Sequence, residues 1–187
     1  MSQMLYDLLN YSRLNTRAQP LQRVDLNQVM AEVLSAMEVK LADTGGSVEV
    51  GELPVIEAEP VQMYQLLQNL VSNSLKFHRP EVPPQVKIYQ IQGGENSSSG
   101  DAPPQGFVTF VVEDNGIGFE NANQMKLFEP FTRLVGRHEY EGTGIGLSIC
   151  RKIVEGHGGT IRASGCPGEG AIFTVQLPIH PTAAQSD

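Results

Sequence analysis

Cysteine is scarce in this chain: Cys150 and Cys166 are the two among 187 residues. Neither stands in a metal-spaced cluster, which excludes a zinc site or a disulfide framework as the organising device. Two free thiols read as a reducing, cytoplasmic compartment. Positive charge is also short, with 13 Lys plus Arg against 21 Asp plus Glu and a net charge of −8. A nucleic-acid surface needs a basic face, so that class of partner is set aside. No apolar run approaches the roughly 20 residues of a membrane helix, and the opening residues do not read as a signal peptide. A tether further upstream in a longer parent chain stays compatible with all of this. No Gly-Lys pair occurs, so a P-loop is excluded as well.

What is present suits an ordinary soluble core, at 40% hydrophobic and 18% charged residues. The length fits one domain with an appendage. MLYDLLNYSRL places Met4, Leu5, Leu8, Leu9 and Leu14 at helical spacing and reads as the end of a longer amphipathic helix packing on a partner helix, up to a break at Pro20. A second helix is expected from Asp25, a capping residue with Gln28 three places on, to Gly45-Gly46. SVEVGEL and PVIEA read as strands, and Pro60 opens a helix reaching about Phe77. VKIYQI and FVTFVVED form one hairpin-like pair, TIRAS and AIFTVQLP another, with a helix from Ile145 to Val154 before the second pair. The polar segment QGGENSSSGDAPPQG is expected to be a surface loop. The fold class is α/β: a two-layer sandwich, with a mixed sheet covered by helices on one face. The divisions are 1–20 for the helical lead-in, 21–180 for the domain and 181–187 for a tail.

Three clusters carry chemistry. On QMYQLLQNLVSNSLKF, Asn69, Asn73 and Lys76 stack along a stripe apart from the apolar one. Such a stripe is either a solvated face or a site in which Asn73 offers a neutral oxygen to Mg²⁺ and Lys76 meets phosphate. VVEDNGIGF ends a strand in Asp114, followed by Gly116 and Gly118. That is either a turn or a carboxylate placed to accept from the exocyclic amine of adenine, with glycines letting the base approach. EGTGIGLSIC sets Gly142, Gly144 and Gly146 before a helix, which is either a bland entry or a phosphate seat at a helix N-terminus. The last cluster is no dinucleotide fingerprint, because Leu147 stands where its final glycine would be.

Taken together and in order, NLVSNSLKF, DNGIGF, LFEPFTRL and GTGIGLSI resemble the N, G1, F and G2 boxes of the catalytic ATP-binding domain of sensor histidine kinases. That domain has the Bergerat fold, shared with gyrase, a heat-shock chaperone and mismatch-repair ATPases. The resemblance covers about residues 24–178, and MLYDLLNYSRL would be the end of the dimerisation helix. EYEGTGIGL and FHRPE are most similar to bacteriophytochrome-type kinases. The resemblance implies ATP and Mg²⁺ as ligands, with Asn73 on the metal and Asn69 and Lys76 near the phosphates. It implies Asp114 on adenine, with Gly116 and Gly118 shaping its pocket. Residues 119–143 would form a lid in which Phe128 and Phe131 pack and Arg133 reaches the γ-phosphate. Thr143, Gly144, Gly146 and Leu147 would hold phosphate at the next helix. Partners implied are the chain's own dimerisation helices in a homodimer, with the phosphoacceptor histidine, and a response-regulator receiver domain.

Two departures stand out. Glu59-Pro60 replaces the usual Asp-Pro ahead of the N-box helix and is a poorer cap. Ile172 stands where the resemblance leads one to expect a threonine hydroxyl near adenine, so modest affinity is expected. Asn69 also bears on the reaction, because hydrolysing relatives resemble a Glu there and an amide cannot act as a general base. Phosphoryl transfer is therefore expected over hydrolysis, by positioning and charge neutralisation through Mg²⁺, Lys76 and Arg133. None of His78, His138, His157 and His180 has an acceptor's surroundings, so the acceptor is expected outside these residues. A Ser/Thr kinase of anti-sigma type and a non-catalytic nucleotide sensor of the same fold remain alternatives.

Overall fold

The computed structural model describes Leu9 and residues 20–92, 106–132 and 143–181. The helical lead-in, the tail and most of the loop between the first strand pair therefore lie outside the described residues. The described residues form two sheets. Gln22–Asp25 (β1) pairs antiparallel with Val55–Ala58 (β3). The larger sheet has five strands in the order β2-β4-β5-β7-β6, built from Ser47–Val50 (β2), Gln85–Ile91 (β4), Phe107–Asp114 (β5), Thr160–Cys166 (β6) and Gly170–Pro178 (β7). β2 runs parallel to β4 and the other neighbours are antiparallel, so the sheet is mixed as expected.

One face of that sheet carries Val86, Ile88, Phe110, Val112, Phe173, Val175 and Leu177, all buried. Leu26–Ala36 (α1), Pro60–Lys76 (α3) and Gly146–Gly156 (α4) pack into the same core through residues such as Met30, Leu66, Leu70, Ile149 and Ile153. The period-two pattern of the strands and the apolar stripes of the helices make this packing of helices on one sheet face a stable arrangement. No helix among the described residues is long and apolar enough to cross a membrane.

Among the described residues the expected elements appear with three differences. QRVD forms β1, which its sequence hides because only Val24 of the four is apolar and buried. The helix expected from Asp25 to Gly45 breaks at Met37, whose side chain is buried, and resumes as Glu38–Thr44 (α2). Asp25 does cap α1, accepting from the N–H of Asn27 at 2.9 Å. SVEV and VIEA are both strands but enter different sheets. Asn27 holds the chain between them by exchanging two hydrogen bonds with the backbone of Leu53, at 3.0 and 2.8 Å.

Glu59 gives α3 no side-chain cap, as its weaker capping chemistry predicts. His157, 5% exposed, secures that junction instead. Its Nε2 accepts from the N–H of Glu59 at 3.2 Å and its Nδ1 donates to the carbonyl of Ile153 at 2.7 Å. This pairing uses the neutral ring. Burial depresses the His157 pKa below the ordinary 6.5, partly offset by the Ile153 carbonyl. The unfolded chain then binds the proton more readily, so this contribution is complete above pH 6.5 and is lost as pH falls toward the depressed folded value. His157→Ala should cost about 1–3 kcal/mol at neutral pH by orphaning the Glu59 amide. Denaturant melts at pH 7.5 and 5.5 should show a smaller acid-induced loss in the variant than in the parent.

Candidate functional site

Asp114 is the last residue of β5, paired across the sheet with Val86 on one side and Ala171 on the other. Alternation puts its side chain on the face of Val112 and Phe110, under α3. Its Oδ1 accepts from the N–H of Gly116 at 2.9 Å and of Ala171 at 3.2 Å. Its Oδ2 accepts from Ser74 Oγ on α3 at 3.0 Å. Burial pushes the Asp114 pKa above its ordinary value; the three hydrogen bonds oppose that, and Glu113 adds to the rise. Three fixed donors therefore orient one carboxylate at the edge of the core.

Ser74 and Ala171 were not legible as site residues. Ser74 follows Asn73 but turns to another side of the helix, and only the packing of α3 on β5 shows that this side meets Asp114. Ala171 contributes a backbone group, for which a side-chain pattern has no signal. The register also corrects the reading of Ile172. It lies opposite Glu113, is 38% exposed and sits on the face turned away from α3, whereas Ala171 lies opposite Asp114. A hydroxyl at position 172 would not reach the carboxylate's side of the sheet, so its absence gives no ground for weaker adenine binding.

The loop after Asp114 is tied down on both sides. Asn115 accepts from the N–H of Gln85 at 2.8 Å and donates to the carbonyl of Pro83 at 3.2 Å. Ile117 N–H donates to the carbonyl of Phe77 at 2.9 Å. Gly116 lies against that same carbonyl. Gly118 has φ +63°, and a Cβ there would stand 2.0 Å from the carbonyl oxygen of Cys166. This close approach is met by the protein's own backbone, a different reason for glycine than access for a base.

Asn69 and Asn73 on α3 both face the first residue of α4. Asn69 Nδ2 donates to the carbonyl of Gly146 at 3.4 Å. A Cβ on Gly146 would meet Asn69 Cγ at 3.9 Å and Asn73 Nδ2 at 4.0 Å, so room is left between the two helices there. α4 has no side-chain cap; Ser148 Oγ instead donates to the carbonyl of Ile145 at 2.7 Å. A helix start of this kind presents N–H donors and partial positive charge to whatever enters from the loop side. Thr143 and Leu147 flank it, both half-buried. Lys76, three residues beyond Asn73, holds its ammonium over the Phe77 ring at 4.4 Å from the centroid. Cys150 lies buried behind, and desolvation pushes its thiol up to about 12, so it is inert.

Of the two phenylalanines expected to pack the lid, Phe128 is buried in a short 3-10 turn, Lys126–Phe128, that rests on α4. Phe131 is 55% exposed, with φ +65°, and its N–H bonds the carbonyl of Gly144 at 3.0 Å. Gly144 itself has φ +73°. Arg133, Gly142 and His138 lie outside the described residues. His78 shares a 2.9 Å hydrogen bond with the carbonyl of Leu75, and His180 pairs with Glu57 at 3.1 Å. With His157 buried between helix and strand, each described histidine has a local structural partner. Among the described residues no group of three His, Cys, Asp or Glu side chains is placed to hold a metal.

Known proteins resemble this chain in sequence and in fold. Residues 58–181 match the family model described as histidine kinase-, DNA gyrase B-, and HSP90-like ATPase. Phytochrome-like protein Cph1 of Synechocystis is 36% identical over 179 residues, covering 96% of this chain and 22% of its own length. The chain thus spans about a fifth of the curated relatives it matches first. The catalytic domain of histidine kinase ThkA superposes with a TM-score of 0.67 at 25% identity, over 88% of this chain and 100% of that one. Full-length ShkA, solved in complex with AMPPNP, superposes with a TM-score of 0.73 at 26% identity, over 97% of this chain and 36% of that one. The chain belongs to the histidine kinase-, DNA gyrase B-, and HSP90-like ATPase family, as an ATP-binding domain of the histidine-kinase type.

Proposed function

We propose that this domain binds Mg-ATP, with adenine at Asp114 and the phosphates at the N-terminus of α4. It delivers the γ-phosphoryl to a histidine on a dimerisation helix outside these residues. From there the group passes to an aspartate of a response-regulator receiver domain. The observation that carries this reading is the Asp114 carboxylate, fixed by three donors beside the helix that bears Asn69, Asn73 and Lys76. An anionic acceptor in that position suits the amino group of adenine and repels the carbonyl of guanine. The complex of ShkA with AMPPNP, an ATP analogue, supports a nucleotide on the same fold.

Magnesium fits the residues present. Asn73 brings its amide nitrogen to within 4.0 Å of a Cβ on Gly146. Turning the amide over would present its neutral oxygen there instead, and one such oxygen suffices for an ion that keeps several waters and phosphate oxygens as ligands. Asn73 would hold it, and the ion would supply charge neutralisation across the phosphates. Lys76 and Arg133 are assigned to the γ-phosphate, and Thr143, Gly144, Gly146 and Leu147 to the phosphate seat. With Asn69 in place of a carboxylate, no side chain of α3 in this cluster activates water, which favours transfer over hydrolysis. A homodimer of the longer kinase in the cytoplasm belongs to the same proposal.

Calorimetric titration with ATP, ADP and GTP, with and without Mg²⁺, tests it. Adenine nucleotides should bind, ATP more tightly with Mg²⁺, and GTP at least about 10-fold more weakly. Equal binding of ATP and GTP would reject the assignment. Gly146→Ala separates fold from site. Gly146 opens α4 without a left-handed φ, and an added Cβ meets nothing nearer than 3.9 Å, so thermal stability should hold. The added methyl enters the gap facing Asn69 and Asn73, and nucleotide affinity should fall.

A further inference from the structure

We propose that Ser74 is a positioning residue for base recognition: by donating to Oδ2 of Asp114 it aims that oxygen's remaining lone pair at the exocyclic amine of the bound adenine. This rests on the adenine reading of Asp114 given above. An ionised carboxylate can only accept, so the Ser74 hydroxyl must be the donor across their 3.0 Å contact. A helical serine more often bonds back to a carbonyl of its own preceding turn. Here the side chain is 2% exposed and reaches across to another element instead.

The division of labour on the carboxylate follows from its contacts. Oδ1 takes both backbone N–H donors, from Gly116 and Ala171, and these stay with any residue at position 74. Oδ2 takes the Ser74 hydroxyl, which occupies one acceptor direction and leaves the other for a ligand. Without that hydroxyl, Oδ2 has lost a donor in a site that already disfavours charge through burial, with Glu113 opposing it further. Ser74 also follows Asn73 directly on α3, so one turn of one helix links the base end of the site to the phosphate end.

The test compares two ligands on this 187-residue chain: ADP, and purine riboside 5′-diphosphate, whose base lacks the 6-amino group. The parent chain should prefer ADP. In Ser74→Ala the affinity for ADP should fall about 5- to 10-fold while that for the amine-free analogue stays within about twofold, so that the preference collapses. Binding of the analogue reports in the same sample that the pocket is folded. An equal loss for both ligands would show a merely structural serine and overturn the proposal. So would an unchanged ADP preference in the variant. A parent chain with no preference for ADP would instead overturn the adenine reading itself.

Discussion

Asp114→Asn is expected to weaken ADP binding by about 10- to 100-fold, the equivalent of a charge-assisted hydrogen bond of about 1.5–3 kcal/mol. The fold should tolerate the change. An asparagine oxygen can still accept from the amides of Gly116 and Ala171, and its amino group can donate to a Ser74 hydroxyl that has rotated to accept. That accommodation turns a donor toward the base, where adenine presents a donor of its own. The variant should therefore lose ADP while its discrimination against GDP narrows or inverts, because guanine offers an acceptor there. Titrations of parent and variant with both diphosphates measure this directly. Because burial holds the parent carboxyl above its ordinary 3.8, ADP affinity should also fall on acidification at a higher pH than an ordinary aspartate would show. The asparagine variant should lack that fall. Unchanged ADP affinity in Asp114→Asn would remove the basis for placing adenine here.

What the sequence disclosed and what it hid divide along physical lines. Long strands and helices with a clean period were legible, down to Pro60 at the first turn of α3 and the two antiparallel pairs β4–β5 and β6–β7. Short elements were not. β1 has one buried apolar residue, and the split at Met37 depends on tertiary packing that a continuous helical stripe does not record. Pairing was only half visible: SVEV and VIEA are close in sequence, yet the clamp of Asn27 on Leu53 sends them to separate sheets. In the candidate site, the sequence singled out residues with telling side chains, whereas groups that reach Asp114 only through the backbone or the packing of α3 on β5 were missed. Ala171 and Ser74 complete the hold on Asp114, while Ile172 was assigned to a face it does not occupy. A motif gives residue types at spacings, but the face each presents is set by the partner element.

In a longer kinase chain that includes the dimerisation helices, Asn73→Ala should lower ATP-dependent labelling by at least about 100-fold, the effect of several kcal/mol of lost metal assistance. The fold should persist, because Asn73 is only half-buried and its backbone carbonyl, which accepts from Phe77 N–H at 2.9 Å, is untouched. The 187-residue chain alone should bind Mg-ATP and still incorporate almost no label. His78, His157 and His180 each have a structural partner, and Asn69 offers no base. Restoring the acceptor helix changes the outcome through proximity, since holding donor and acceptor together is worth about 7–11 kcal/mol of barrier. Incorporation of radiolabelled γ-phosphate, followed by acid treatment, reads the chemistry. Acid-labile label on the longer chain, passed on to a receiver-domain aspartate, is the expected result. Acid-stable label would point to a serine or threonine acceptor instead. Rapid release of free phosphate by the 187-residue chain would overturn the inference from Asn69, because water would then be reaching the γ-phosphoryl with activation that the amide cannot provide.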